Sequence, residues 1–208
     1  PSGKRETSFS SLSFEEDEKS FVQKKLSEEQ EIAINGILNS EDKNIFHYLY
    51  GATGTGKTEV FLSCAEKILQ QCKGVIYLVP EISLTHQVIE AVTNRFGNTV
   101  AVLHSGLTGS QKLKEWNRII NKEARIVIGA RSGIFAPVPD LGLVIIDEEH
   151  DGSYKSGTTP RYHARQIAMR ICTDKKIPLI MGSATPSVEA WQLMKDKKIK
   201  THTLTKRL

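Results

Sequence analysis

The sequence predicts an α/β domain with a mostly parallel β-sheet and helices on both of its faces. Short apolar runs without polar alternation, such as residues 75–79 and 143–146, are separated by stretches with helical spacing of apolar residues. Strands of this kind are typical of a parallel sheet that is buried on both faces. A glycine-rich stretch, residues 51–58, lies between the first apolar run and a helical stretch. This order of strand, loop and helix is the second observation that favours the class.

The composition is that of a globular protein. The 208 residues are 39% hydrophobic and 25% charged, and no run approaches the roughly 18 apolar residues of a membrane span. The first residues lack the order of a signal peptide, so we predict a cytoplasmic protein that contacts no membrane. Cys64, Cys72 and Cys172 have no C-x-x-C spacing. We therefore predict neither a disulfide framework nor a zinc site in this chain.

Positive charge is concentrated after residue 50. Residues 1–50 hold 6 Lys/Arg and 10 Asp/Glu, whereas the remainder holds 22 and 14 and so carries a net charge of +8. A basic surface allows contact with phosphate backbones through counterion release. A solvated basic surface explains the same charge equally well, so both interpretations stay open.

The first 50 residues contain a predicted arm and a predicted helix. Residues 1–20 have few apolar residues and a Glu-Glu-Asp-Glu run, so we predict a flexible N-terminal arm. Ser27 has the residue type of an N-cap, Gln30 stands at the capping-box position, and an apolar helical face follows. The Gln30 amide could also read adenine, because it carries both a donor and an acceptor. Capping and adenine recognition therefore both remain open for this residue.

The glycine-rich stretch fits the phosphate-loop pattern G-x-x-x-x-G-K-[ST] at every fixed position. Glycines let a phosphate approach the backbone, and N–H groups at a helix N-terminus favour an anion. Lys57 is placed to reach the β and γ phosphates, and Thr58 offers a hydroxyl to Mg²⁺. The alternative is a glycine-rich turn that matches by chance. The residues expected to bind nucleotide are Gly51, Thr53, Gly54, Thr55, Gly56, Lys57 and Thr58.

Strands and helices continue to alternate after the loop. A second strand at residues 75–79 ends at Pro80, and a helix is predicted from about Ile82 to Arg95. A third strand at residues 100–103, a helix at 111–121 and a fourth strand at 125–129 follow. A sixth strand at residues 179–181 precedes a helix from about Ser187. Residues 196–208 are predicted only as a basic segment.

The fifth strand, residues 143–146, runs directly into Asp147, Glu148, Glu149 and His150. Acids at the carboxyl end of a parallel sheet lie in the same crevice as a phosphate loop. Asp147 suits coordination of Mg²⁺ through water, and Glu148 suits orienting and deprotonating a water molecule. An acidic turn after a strand is the alternative. With the phosphate loop upstream, the pattern favours Lys57, Asp147 and Glu148 as catalytic residues.

Three stretches of the sequence resemble the motifs of superfamily 2 helicases in order and spacing. Residues 51–58, 147–150 and 182–185 correspond to motifs I, II and III, and residues 78–85 resemble motif Ia. More specific resemblance, to the PriA family of primosomal replication-restart DNA helicases, comes from four stretches. These are the Asp-Glu-Glu-His form of motif II and residues 129–137, 151–155 and 160–165. The resemblance covers about residues 21–195.

The resemblance implies a RecA-like P-loop NTPase domain that forms the first helicase lobe, with ATP and Mg²⁺ as cofactors. By analogy, Gln30 would read adenine. His150, Ser183 and Thr185 would couple nucleotide to DNA. Residues implied to touch DNA are Pro80, Thr85, Arg131 and Ser132. An aromatic-rich loop that also contains Tyr162 adds Tyr154, Lys155 and Arg161 to this set.

The implied activity is ATP-driven 3′ to 5′ DNA unwinding in replication restart and primosome assembly. Expected partners are single-stranded and forked DNA, primosome and single-strand-binding proteins, and a second helicase lobe in cis that is absent here. Because that lobe supplies arginines worth about 10³ to 10⁵ in rate in other nucleotidases, we expect very slow hydrolysis by this lobe alone. A RecG-like branch-migration helicase lobe and a nucleotide-switched binding module without unwinding activity remain alternatives.

Overall fold

The computed structural model describes residues 25–39 and 44–207. The predicted arm, residues 1–20, lies outside the described residues. The helices are α1 (Glu28–Leu38), α2 (Lys57–Gln70), α3 (His86–Phe96), α4 (Gly109–Ile120), α5 (Ala164–Lys175) and α6 (Val188–Lys195). The strands are β1 (Phe46–Gly51), β2 (Gly74–Leu78), β3 (Val100–Leu103), β4 (Ile126–Gly129), β5 (Leu141–Ile146), β6 (Leu179–Ser183) and β7 (Lys200–Leu204).

The strands form one sheet in the order β3-β4-β2-β5-β6-β1-β7, and every neighbouring pair is parallel. The predicted fold class, an α/β domain with a parallel sheet, is therefore confirmed. Because all strands run in the same direction, the loops that follow them meet at a single edge of the sheet. β5 lies in the middle of the order, between the half that contains β2 and β4 and the half that contains β6 and β1.

The apolar core lies on both faces of the sheet. On one face α1, α2 and α3 pack over alternate strand residues such as Leu49, Tyr77 and Ile145. On the other face α5 and α6 pack over the intervening residues, such as Ile76 and Val144, and α4 covers β3 and β4. Burial on both faces explains why the central strands read as continuous apolar runs.

β7 was not predicted, and the predicted end of the lobe at residue 195 is too early. Lys200–Leu204 pairs in parallel with β1, so this part of the basic segment belongs to the sheet. Its burial alternates, with His202 and Leu204 inward and Thr201 and Thr203 exposed. An edge strand needs only one apolar face, and its lysine and threonines conceal the pattern in the sequence.

The predicted helix start at Ile82 was also wrong. Glu81–Ser83 forms a 3₁₀ turn after Pro80, and α3 begins only after Thr85, whose backbone is extended. Other helix starts follow local capping chemistry. Ser27 and Thr108 form capping boxes with Gln30 and Gln111. In the part of the chain that the structure describes, no helix is long and apolar enough to cross a membrane.

Candidate nucleotide-binding site

The phosphate loop connects β1 to the first turn of α2. Gly54 and Gly56 have φ angles of +85° and +81°, which glycine adopts without strain. Gly56 is the N-cap of α2 in the left-handed region, and no side chain caps the helix there. A Cβ atom placed on Gly54 would have no heavy atom within 4 Å. The loop therefore has open space beside Gly54, close to the N-terminus of α2, where N–H groups favour an anion.

Lys57 is the first residue of α2, and its side chain folds back over the loop. Its Nζ donates to the carbonyl oxygens of Gly51 at 2.8 Å and Ala52 at 3.3 Å. The Thr55 hydroxyl donates to Ala52 O at 2.9 Å and holds the same turn. Thr53 and Thr58 are exposed at this edge. The lysine thus binds the carbonyl groups of its own loop, and its contact with phosphate oxygens stays a prediction.

Asp147 follows β5 and lies near the phosphate loop. Its Oδ1 accepts from the backbone N–H of Glu148 at 2.9 Å, and its Oδ2 accepts from the Tyr77 hydroxyl at 3.2 Å. Burial, and then the charge of Glu148, raise the pKa of Asp147 to about 6, while the nearby Lys57 ammonium acts to lower it. The structure therefore brings the lysine of one motif and the acid of another into electrostatic range, although β6 separates their strands. The Asp147 carboxylate and the exposed Thr58 hydroxyl are oxygen groups of the kind that Mg²⁺ prefers. Their role as metal ligands stays a prediction.

Glu148, Ser183 and His150 form a second cluster beside Asp147. The Ser183 hydroxyl donates to Glu148 Oε2 at 3.2 Å, and His150 Nδ1 lies 2.7 Å from the same Ser183 oxygen. The backbone N–H of Thr185 also donates to Ser183 Oγ at 3.0 Å. The residues implied to couple nucleotide and DNA thus lie together. Side chains of Glu148 and His150 are 35% and 40% exposed, so both groups can meet a ligand.

Glu149 has a different environment, which sequence reasoning missed. Its side chain is fully buried, and it forms an ion pair with Arg165 of α5. The Ser187 hydroxyl and N–H donate to it at 2.7 and 3.2 Å, and the Tyr48 hydroxyl donates at 3.3 Å. The sequence places Arg165 16 positions after Glu149, but no local pattern shows that the two side chains meet. This cluster links the middle of β1 and the end of β5 to α5 and the N-cap of α6.

Gln30 contacts the phosphate loop from α1. It is 1% exposed. Its Oε1 accepts from Ser27 N at 2.8 Å, which confirms the predicted capping box, and its Nε2 donates to Gly56 O at 3.2 Å. The amide therefore supports both the helix start and the loop. Adenine recognition by Gln30 stays a prediction, and it requires the amide to become accessible.

Four of the residues expected to touch DNA follow β2 and β4, in the other half of the sheet. Pro80 is buried and Thr85 is exposed after β2, while Ser132 is exposed after β4. One nitrogen of the Arg131 guanidinium already has partners within the protein, because Nη1 donates to Ser153 O at 3.1 Å and to Lys155 O at 2.8 Å. These positions share one sheet edge with the nucleotide residues, and β5 lies between the two groups. Their contact with DNA stays a prediction.

The loop after motif II differs from expectation at Tyr154. This residue is fully buried, and its hydroxyl donates to Asp147 O at 2.6 Å. Burial raises the pKa of Tyr154. The loop turns the Tyr154 ring toward the end of β5, so stacking of this ring on DNA stays a prediction and requires the ring to become accessible. Lys155 and Arg161 are exposed, and the Tyr162 ring packs 5.6 Å from the Arg131 guanidinium.

Known proteins are similar to this chain in sequence and in fold. The chain is 54% identical to the replication restart protein PriA of Treponema pallidum (strain Nichols) over 208 residues, which is all of this chain and 32% of that protein. It is 48% identical to the PriA protein of Bacillus subtilis (strain 168) over 169 residues, covering 80% of this chain and 21% of that protein. The chain thus spans about a third or less of these relatives.

Solved structures support the fold. A structure of RecG bound to a three-way DNA junction matches 88% of this chain and 24% of its own, with a TM-score of 0.63 and 23% identity. The DUF1998 helicase MrfA bound to DNA matches 88% of this chain and 26% of its own, with a TM-score of 0.61 and 16% identity. At these identities the likeness establishes only the shared RecA-like architecture. A family model for DEAD/DEAH box helicases matches residues 27–193, which is most of the chain, and the chain therefore belongs to the DEAD/DEAH box helicase family.

Proposed function

We propose that this chain is the ATP-binding first lobe of an ATP-dependent 3′ to 5′ DNA helicase that acts in replication restart and primosome assembly. The observation that carries the proposal is the convergence of the phosphate loop, Asp147, Glu148 and Ser183 at one edge of the sheet. Similarity over the whole chain to the PriA protein of Treponema pallidum supports the biological role. The expected partners are single-stranded and forked DNA, primosome and single-strand-binding proteins, and a second lobe in the same protein, in the cytoplasm.

The reaction is phosphoryl transfer from ATP to water. Lys57 would leave the carbonyl groups of the loop and bind the β and γ phosphates, while the N–H groups of α2 hold the remaining charge. Thr58 and Asp147 would hold Mg²⁺, which neutralises charge on the phosphate oxygens when bound. Glu148 would orient the attacking water and accept its proton on a carboxylate oxygen, because its side chain is partly open and held by Ser183.

Coupling to DNA would follow from the position of β5 in the sheet. Motif II lies between the strands that end at the nucleotide residues and those that end at Pro80 and Arg131. His150 contacts Ser183 on one side, and Arg131 holds the loop after motif II on the other. A change in that loop on binding a single strand would therefore reach Asp147 and Glu148 through a short chain of contacts.

The nucleotide site is tested by calorimetric titration of Mg²⁺-ATP and Mg²⁺-ADP into this chain. We expect Lys57→Ala to weaken binding at least about 10-fold, since it removes the charge that meets the phosphates. Lys67→Ala is the matched control, because Lys67 is an exposed lysine at the other end of the same helix. Equal binding by wild type and Lys57→Ala would contradict the assignment of the loop.

Adenine recognition is tested by comparing ADP with GDP. Gln30→Ala should abolish a preference for ADP. Ser27→Ala, which breaks the same capping box but keeps the amide, should retain it. If both variants behave alike, Gln30 acts only as a helix cap.

The helicase role is tested in the whole protein. We expect ATP hydrolysis stimulated by single-stranded DNA and unwinding of duplexes that carry a 3′ tail in preference to a 5′ tail. This chain alone should bind nucleotide and hydrolyse it very slowly, since we expect a second lobe to supply the arginines that accelerate hydrolysis. Nucleotide binding without any stimulation by DNA in the whole protein would instead favour a nucleotide-switched binding module.

A further inference from the structure

A tyrosine in the core of the sheet reaches the candidate metal-binding carboxylate. Tyr77 lies on β2 and is only 1% exposed. It pairs in register with Ile145 of β5, and Asp147 is two residues further along the same strand direction. Side chains two residues apart in a strand share a face, which is here the face covered by α2. The Tyr77 hydroxyl accordingly lies 3.2 Å from Asp147 Oδ2.

Core packing alone does not account for this hydroxyl group. The Tyr77 ring packs edge-to-face on Phe61, with ring centres 6.0 Å apart, and a phenylalanine would make the same contact. Burying a phenolic hydroxyl without a partner is unfavourable. Asp147 supplies that partner, so the hydroxyl group of Tyr77 serves the contact with the residue that follows β5.

Asp147 is held from several directions. Its Oδ1 accepts from Glu148 N and its Oδ2 from Tyr77, while its backbone is fixed by Asp147 N donating to Leu78 O at 2.9 Å and by Tyr154 donating to Asp147 O. Among these contacts, the Tyr77 bond is the one from a side chain to the carboxylate. This hydrogen bond restricts rotation of the Asp147 carboxylate about the Cβ–Cγ bond. Such a rotation would change how the carboxylate oxygens coordinate a metal ion.

We propose that Tyr77 is a positioning residue that orients the Asp147 carboxylate for Mg²⁺-nucleotide. This inference rests on the proposed function of the site. Groups that hydrogen-bond to a metal-binding side chain fix its orientation, and their removal typically weakens metal binding about 10-fold or more. Tyr77 acts through Asp147 and is not itself a catalytic residue.

Tyr48 provides a matched control within the same sheet. It is also a fully buried strand tyrosine whose hydroxyl donates to a carboxylate, Glu149 Oε2, at 3.3 Å. Glu149 faces Arg165 and Ser187 instead of the phosphate loop. Tyr48→Phe and Tyr77→Phe therefore remove chemically equivalent hydrogen bonds, but only one of them touches the proposed metal ligand.

The experiment measures binding of Mn²⁺, used as a paramagnetic probe, to this chain in the presence of saturating ADP, by electron paramagnetic resonance. Binding of ADP in EDTA and the thermal midpoint of unfolding are recorded for every variant. We expect Tyr77→Phe to weaken Mn²⁺ binding about 10-fold, while its metal-free ADP binding stays at the wild-type level. Tyr48→Phe should bind Mn²⁺ as the wild type does.

Each outcome has a distinct meaning. Wild-type affinity in Tyr77→Phe, or equal weakening in both tyrosine variants, overturns the inference. No ADP-dependent Mn²⁺ binding by the wild type would instead refute the proposed nucleotide site itself. A double-mutant cycle gives an independent check, because Tyr77→Phe should have no further effect in an Asp147→Asn background. A full additional effect in that background also overturns the inference.

Discussion

Glu148 and Glu149 follow one another at the end of β5, yet their carboxyl groups have different surroundings. Glu149 is fully buried and is bound by Arg165, Ser187 and Tyr48. Glu148 is about a third exposed and meets Ser183 and His150 near the phosphate loop. Two chemically similar residues have therefore been separated into a structural acid and an acid that is open to chemistry.

The backbone explains how the two acids are separated. Glu148 has a φ angle of +45°, which is unfavourable for a non-glycine residue by about 1 to 2 kcal/mol. This turn directs adjacent side chains to different sides of the strand end. The bonds of Glu149 to α5 and α6 anchor the residue directly after the turn, so the buried acid stabilises the conformation that exposes the other.

The largest expected effect is on the free energy of unfolding, through the buried acid Glu149. Arg165→Ala leaves the Glu149 carboxylate in the core without its cationic partner, and breaking such a pair typically costs about 3 to 5 kcal/mol. We expect a loss of that size in the free energy of unfolding, measured by urea denaturation followed by circular dichroism.

Arg170→Ala is the control on the same helix. Arg170 pairs with Asp174, but its side chain is 80% exposed, and exposed pairs add little stability. We expect no measurable change in its unfolding midpoint. Equal losses in the two variants would show that the buried pair is not special.

The next largest effect is on the rate of ATP hydrolysis, through the partly exposed acid Glu148. In the whole protein, Glu148→Gln should lower ATP hydrolysis at least about 100-fold, since it removes the group that accepts a proton from water. The thermal midpoint of this chain should stay close to that of wild type. Glu149→Gln should instead lower mainly the thermal midpoint of unfolding, with a smaller effect on ATP hydrolysis. If Glu148→Gln unfolds the chain as readily as Glu149→Gln does, the division between the two acids fails.

A smaller effect is expected at Ser187, which both caps α6 and donates to Glu149. Ser187→Ala removes the cap and one donor to a buried carboxylate, so we expect a loss of about 1 to 2 kcal/mol in unfolding free energy. Ser187→Thr retains a hydroxyl and should recover most of this loss. A threonine variant as unstable as the alanine variant would assign the effect to packing alone.

The smallest effect is the dependence of stability on pH that comes from Asp147, the acid before the turn. Burial raises the pKa of Asp147 from 3.8 to about 6, so between these values the folded state binds more protons than the unfolded state. Its contribution to stability is complete below about pH 4 and is lost as pH rises through about 6. Metal-free wild type should therefore lose stability relative to Asp147→Asn over this range, as measured by urea denaturation in EDTA. A difference that does not depend on pH would contradict the raised pKa.

Local features of the site were readable from the sequence because short-range chemistry determines them. The phosphate-loop pattern requires glycine at particular backbone angles, and Gly54 and Gly56 adopt them. The Ser27–Gln30 capping box involves residues only three positions apart. Uninterrupted apolar strands such as residues 143–146 predicted a parallel sheet, because only burial on both faces suits them.

Features that depend on distant residues were not readable. Tyr154 was expected to face DNA, but the turn of its loop buries it against Asp147. β7 was missed because its pairing with β1 joins residues more than 150 positions apart, and an edge strand carries a weak apolar signal.

By itself, the sequence determined the class of fold, the phosphate loop and the acids that follow β5, because each rests on residue type and local spacing. Tertiary structure alone decided which acid is buried and which is open. That choice depends on Arg165, Ser187 and Tyr48, which come from three separate elements. Burial of a charge is favourable only where all its partners meet, and such a meeting is a property of the folded chain.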